Sequence, residues 1–167
     1  MNREIITGIT AAHYADILRI NQDNVEMLSP LDEKGLAELL QKAALARAAV
    51  ADSRVAAFVI ALREGTDYQS VNYRWFGSRL DRFLYIDRIA VAQEYRGRGL
   101  GSQLYSEVLA FARSTGVETL AAEINVEPEN RPSLAFHRSF GFAEVGRQTI
   151  DGGKKTVSMQ TRPFNVR

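Results

Sequence analysis

The segment Arg96-Gly97-Arg98-Gly99-Leu100-Gly101-Ser102 sets three glycines among two arginines where an apolar, strand-like run meets an amphipathic helix pattern. Glycine lets the backbone turn sharply and come close to a ligand. A helix N-terminus adds unpaired N–H groups and the positive end of the helix dipole, so the segment suits a phosphate or pyrophosphate. Arg96 and Arg98 add formal positive charge. The spacing separates it from two other nucleotide loops. A dinucleotide fingerprint needs Gly-x-Gly-x-x-Gly with an acidic residue about 20 positions on, and here the third glycine arrives one residue early. An NTPase phosphate loop ends in Gly-Lys-Ser/Thr, and Gly101-Ser102 lacks the lysine.

The elements that must position this loop are legible on both sides of it. Upstream, residues 84–91 (Leu-Tyr-Ile-Asp-Arg-Ile-Ala-Val) read as a buried strand. Downstream, Leu100, Leu104, Val108 and Ala112 recur every four residues with Tyr105 and Leu109 beside them, which predicts a helix to about Thr115-Gly116. From the start of the chain, Ile5-Ile6 predicts a strand, and Tyr14, Ile17 and Leu18 mark a helix to about Asn24. His13, at the head of that helix, is read as structural. A loop follows at Met27-Leu28-Ser29-Pro30, and Asp32 can cap a second helix carrying Leu36, Leu39, Leu40 and Ala43. Residues 48–51 and 55–62 flank the turn-like Asp52-Ser53-Arg54 and predict a hairpin.

Residues 65–79 lose periodicity and carry Tyr68, Tyr73, Trp75 and Phe76, so they read as a long loop, a class often functional in compact domains. Residues 119–126 read as a strand, and a helix begins at Asn130 or Arg131. Asp151-Gly152-Gly153 joins 144–150 to 155–160 as a closing hairpin, where Thr149, Ile150, Thr156 and Val157 favour extended chain. The expected order is strand, two helices, three strands, helix, strand, helix, two strands, in one domain over 1–167 with no repeat or linker.

Composition bounds the function classes. At 167 residues and 46% hydrophobic content the chain can bury a single core. The formal charge of +1 gives no basic surface for nucleic acid and none for an anionic membrane. The absence of cysteine removes disulfides, thiolate metal sites and a cysteine nucleophile, and fits a reducing cytoplasm; no metal is expected. Met1-Asn2-Arg3-Glu4 has no apolar signal core, and no run approaches the ~20 apolar residues of a membrane helix.

The glycine loop resembles the Gln/Arg-x-x-Gly-x-Gly/Ala pyrophosphate loop of the GNAT superfamily of acetyl-CoA-dependent N-acyltransferases, with Arg96, Gly99 and Gly101 in the matching positions. Residues 130–142, Asn-Arg-Pro-Ser-Leu-Ala-Phe-His-Arg-Ser-Phe-Gly-Phe, resemble that family's next helix with its terminal Gly-Phe. The resemblance covers most of the chain from about Val55 onward. It implies an α/β fold with a central mixed sheet flanked by helices, and acetyl-CoA as cosubstrate. It also implies that the backbone of Ile89, Ala90 and Val91 bonds the pantetheine arm. The N–H groups of Arg98, Gly99, Leu100, Gly101 and Ser102, with Arg96 and Gly97, would take the pyrophosphate, and Asn130, Ser133 and Phe136 would line the far side.

The reaction so implied is direct attack of an amine on a thioester carbonyl, which needs a base, an oxyanion donor and an acid for the departing thiolate. The family often places a tyrosine seven residues after the helix asparagine; here the position holds His137. Asn130, Ser133 and His137 resemble the Asn-x-x-Ser-x-x-x-His helix of the branch acting on amino-acid-like amines. With an ordinary pKa of about 6.5, an imidazole serves as acid or base near neutrality, where tyrosine at about 10 serves only as acid. For the base, Asp87 shares a strand face with Tyr85 and Ile89, while Glu123 is flanked by Ala121 and Asn125. Both remain candidates, and each has a structural alternative as partner of Arg88 or Lys154.

Acceptor binding falls, by the resemblance, to residues 24–30 and the Tyr73-Arg74-Trp75-Phe76 stretch, where Arg74 would suit a carboxylate. The expected activity is acetyl transfer to the primary amine of a small, amino-acid-like acceptor. The alternatives are a non-catalytic acyl-CoA-binding module and a protein or peptide N-terminal acetyltransferase. A homodimer is compatible with the resemblance.

Overall fold

The computed structural model describes residues 4–164. Met1-Asn2-Arg3, the non-apolar start of the chain, lie outside the described residues. In chain order the elements are β1 (Ile5–Gly8), α1 (Tyr14–Asp23), α2 (Glu33–Lys42), β2 (Leu45–Ala51), β3 (Arg54–Arg63), α3 (Val71–Gly77), β4 (Phe83–Val91), α4 (Leu100–Ser114), β5 (Thr119–Glu127), α5 (Arg131–Ser139), β6 (Ala143–Ile150) and β7 (Lys155–Pro163). The seven strands form a mixed sheet in the order β1-β2-β3-β4-β5-β7-β6. Its parallel pair is β4–β5, through Phe83–Thr119, Leu84–Leu120 and Tyr85–Ala121.

Contacts divide the chain into two units. The first runs to Leu62 and resumes over Ile86–Thr115; the second comprises Arg63–Tyr85 and the chain from Gly116 on. In the first unit β1, β2 and β3 pair antiparallel as a meander. Residues 55–62 of β3 are buried on both faces, as their uninterrupted apolar sequence requires. Ile17 and Ile20 of α1, Leu36 and Leu39 of α2, and Leu100, Leu104, Tyr105, Val108 and Ala112 of α4 complete that core. The helix starts follow the expected capping chemistry. Asp32 Oδ1 accepts from the Gly35 N–H at 2.7 Å. His13 is structural as read, its Nδ1 accepting from the Thr10 N–H at 3.0 Å.

In the second unit β5 and β6 pair antiparallel with β7. Val157 and Met159 of β7 join Leu120, Ala121 and Ile124 of β5 in its core. The expected loop over 65–79 is corrected here, because its middle is the helix α3. Ser70 Oγ caps it by accepting from the Tyr73 N–H at 3.3 Å, and Asn72, Tyr73 and Phe76 turn inward while Val71 and Arg74 stay exposed. At seven residues the helix offers too few turns for its period to show, and its aromatics read as loop residues.

Candidate functional site

β4 ends at Val91; after a single 3₁₀ turn over Gln93–Tyr95 the chain passes through Arg96–Gly99 into α4. Gly97 and Gly99 sit at φ of 78° and 77°. A Cβ at either would meet nothing within 4 Å, so the demand for glycine here is conformational rather than steric. Gly99 is the N-cap of α4 and brings no side-chain cap. By helix geometry the N–H groups of Leu100, Gly101 and Ser102 lack acceptors within the helix, and the positive end of the dipole lies there. Leu100 is buried and fixes the helix start in the core, while Arg98 and Ser102 are exposed beside it. Arg96 donates through Nη2 to Asn24 Oδ1 at 3.1 Å, and the Arg98 guanidinium lies 5.0 Å from the Tyr95 ring centroid. Two cations and an uncapped helix end thus gather in one loop, a fit for an anionic pyrophosphate.

On β4, Asp87 does not stand among apolar neighbours alone. Its Oδ2 accepts from Arg88 Nε at 2.7 Å, and the two side chains are only 4% and 5% exposed. Arg88 is the centre of a buried polar cluster. Its Nη1 donates to Asn21 Oδ1 at 2.7 Å and to the Ser29 carbonyl at 3.2 Å, and Nη2 donates to Ser29 Oγ at 2.9 Å. Asn21 closes the network by donating to the Ser29 carbonyl at 3.0 Å. The geometry matches the alternative reading of Asp87 as the partner of Arg88, and it ties the 24–30 segment to the strand. The sequence reading did not single out Asn21 or Ser29 for this; the signal for it was an arginine inside an apolar strand, which must find acceptors when buried.

Within the second unit, Tyr85 donates its hydroxyl to Glu123 Oε1 at 2.8 Å. Tyr85 is buried, with Tyr73 and Phe76 at ring distances of 5.6 and 5.9 Å. This packing sets two residues of the expected acceptor stretch in the core and leaves Arg74 exposed. Tyr73 and Phe76 are core residues, and the Tyr73 hydroxyl donates to the Arg63 carbonyl at 2.6 Å while accepting from the Thr66 N–H at 3.0 Å. Trp75 lies against β6, where a Cβ on Gly146 would come within 2.6 Å of its Cζ2.

The helix α5 brings three of the expected residues together. Asn130 is its N-cap, accepting from the Ser133 N–H at 3.3 Å, and Pro132 occupies the first turn, where its missing N–H costs nothing. His137 Nδ1 lies 2.8 Å from the Ser133 carbonyl and 3.2 Å from Ser133 Oγ. The imidazole is 3% exposed, with the Phe136 and Phe142 rings edge-on at 5.5 and 5.1 Å. Burial lowers its pKa below the ordinary 6.5, and the bond to the Ser133 carbonyl offsets part of that effect. An Nδ1–H donating to the carbonyl leaves Nε2 with its lone pair, the form in which an imidazole accepts a proton. Phe136 is half-buried against Phe140 at 5.0 Å.

Comparison with known proteins follows the same lines. The model of the Acetyltransferase (GNAT) family matches residues 28–142, more than half of the chain. The N-alpha-acetyltransferase RimI of Mycobacterium tuberculosis is 44% identical over 61 residues, 36% of this chain. The matched segment spans 35% of that relative and 16% of another curated relative. Among solved structures, the ribosomal-protein-S18-alanine N-acetyltransferase of Escherichia coli superposes with a TM-score of 0.73 at 19% identity, covering 99% of this chain and 96% of that one. A putative phosphinothricin N-acetyltransferase gives 0.73 at 21%, covering 98% and 100%.

Proposed function

The chain belongs to the GNAT family of acetyltransferases, and we propose that it acetylates the primary amine of a small, amino-acid-like acceptor using acetyl-CoA. The observation that carries the acetyl-CoA reading is the Arg96–Ser102 turn, whose positive-φ glycines deliver the chain into an uncapped helix start. In this reading the N–H groups from Arg98 to Ser102 hold the pyrophosphate, and Arg96 and Arg98 neutralise it. The backbone of Ile89, Ala90 and Val91 lies past Tyr85, where the β4–β5 pairs end, and bonds the pantetheine amides.

Acetyl-CoA supplies an activated thioester, and the chain's own task is to handle protons around it. A buried, neutral His137 serves as a base better than as an acid, because its lowered pKa keeps Nε2 unprotonated at neutral pH. The Ser133 carbonyl fixes the ring by accepting from Nδ1–H. Glu123 is the second candidate base, with the Tyr85 hydroxyl hydrogen-bonded to it. Asp87, paired with Arg88, acts in this scheme by holding the strand and the 24–30 segment in place.

A specific observation favours a second reading, acetylation of a protein or peptide N-terminus: the 44% identical relative is named as an N-alpha-acetyltransferase. The two readings separate by product analysis. Acetyl-CoA is incubated with the protein and either free amino acids and their analogues or short peptides, and products are identified by mass spectrometry. Acetylated amino acids support the small-acceptor reading. Acetylation confined to peptide α-amines replaces it with the second.

A further inference from the structure

A cavity of about 580 Å³ opens in the second unit, between one stripe of α5 and the strands β6 and β7. Its volume falls within the roughly 300–1,000 Å³ typical of small-molecule clefts. Leu134 and Arg138, one helical turn apart, face it from α5, and none of the residues assigned above to acetyl-CoA or to proton transfer lines it. Its lining is built from three kinds of group.

The floor is polar and buried. Ser158 and Gln160 of β7 are 2% and 7% exposed, and Gln160 Nε2 donates to Ser158 Oγ at 3.1 Å. The other end of that amide, Oε1, has no hydrogen-bond partner among the described residues. Oε1 is not among the described side-chain atoms that are fully buried without a partner, so solvent reaches it and it is open to a donor from a bound molecule. One wall is apolar, from Val126, Leu134 and Phe142.

The charged groups lining the rim balance, Glu129 and Glu144 against Arg138 and Arg147, but they are not all paired with one another. Glu144 is paired with Arg147, and Glu129 with Arg131. Arg138 has no carboxylate within 4.0 Å among the described residues, which leaves one uncommitted guanidinium on the cavity. A single planar fork matches the two oxygens of a carboxylate. A phosphate dianion would need further donors, and would bring its second charge near Glu129 and Glu144.

We propose that this cavity binds a small organic carboxylate carrying a second hydrogen-bonding group. Arg138 takes the carboxylate, Gln160 and Ser158 take the second group, and the hydrocarbon body lies on Leu134 and Phe142. The site is separate from the acetyl-transfer reading, and its test needs neither acetyl-CoA nor turnover.

The test is a ¹H–¹⁵N titration of the full chain with lactate and 3-hydroxybutyrate, with isobutyrate and inorganic phosphate in parallel. The hydroxy acids should give saturable shifts of the Gln160 side-chain amide and the Leu134 N–H, with isobutyrate binding more weakly. R138Q changes an exposed side chain and should retain the wild-type melting temperature while weakening hydroxy-acid binding at least tenfold. Absence of saturable shifts, equal binding by R138Q, or phosphate binding tighter than any carboxylate would each overturn the proposal.

Discussion

His137 Nδ1 lies 2.8 Å from the carbonyl oxygen of Ser133, one helical turn upstream in α5. A side chain that donates to the carbonyl of its own helix gains a fixed ring orientation from that contact. Burial is then the largest influence on its titration, and it holds the imidazole neutral. That contact sets the tautomer, and burial sets the protonation state, on which the proposed base role depends.

The stability of the protein should therefore respond to His137 in a defined window. Its native pKa is lowered, so between the ordinary 6.5 and the native value the unfolded chain binds a proton that the native chain does not. Stability from this group is lost as pH falls through that window and does not change above it. Urea unfolding at pH 7.5 and 5.5 should show a larger loss for wild type than for H137Q. Identical losses would refute the assignment.

Removing Arg88 should be costly, because Asp87 would keep a buried charge without its partner and Asn21 would lose its donor. Breaking a buried pair in this way costs about 3–5 kcal/mol. R88A should unfold at much lower urea than wild type. R88K should fall between the two, since an ammonium carries the charge but not the fork that reaches Asp87, Asn21 and Ser29 together.

Gly146 and Trp75 test the placement of α3. An alanine at 146 would put its Cβ 2.6 Å from the indole ring, and such overpacking costs about 1–3 kcal/mol. G146A should be destabilised accordingly, and W75L in the same chain should recover most of the loss. Independent, additive effects of the two changes would show that they do not touch.

At Gly99 the expected effect is on conformation and binding together. With φ at 77°, alanine is strained by about 1–2 kcal/mol even though the space around it is open. G99A should lower the melting temperature modestly and weaken acetyl-CoA binding about tenfold or more by calorimetry. Wild-type affinity in G99A would remove the loop from the cosubstrate site.

Much of this was legible in the sequence, for a local reason. Gly97 and Gly99 carry their conformational demand in their own identity, and the Leu100-Leu104-Val108 stripe declares its helix through period alone. Asn130 and Asp32 likewise announce their caps. What escaped was long-range. Arg88 finds Asn21 and Ser29 across 67 and 59 positions, a pairing that no window of sequence displays. Tyr73 and Phe76 read as loop residues because α3 is too short for its buried face to repeat. The two candidate carboxylates were alike by strand alternation, and only their partners, Arg88 for Asp87 and Tyr85 for Glu123, distinguish them.

Thiol release from acetyl-CoA, followed across a panel of amino acids, amino-acid analogues, polyamines and short peptides, tests the central claim most directly. With no cysteine in the chain, the protein adds no background to a thiol reagent. Release that depends on a primary-amine acceptor, and that falls steeply in H137Q, is the predicted result. Tight acetyl-CoA binding with no release above hydrolysis for any acceptor would contradict it and leave a module that binds the cosubstrate without turning it over.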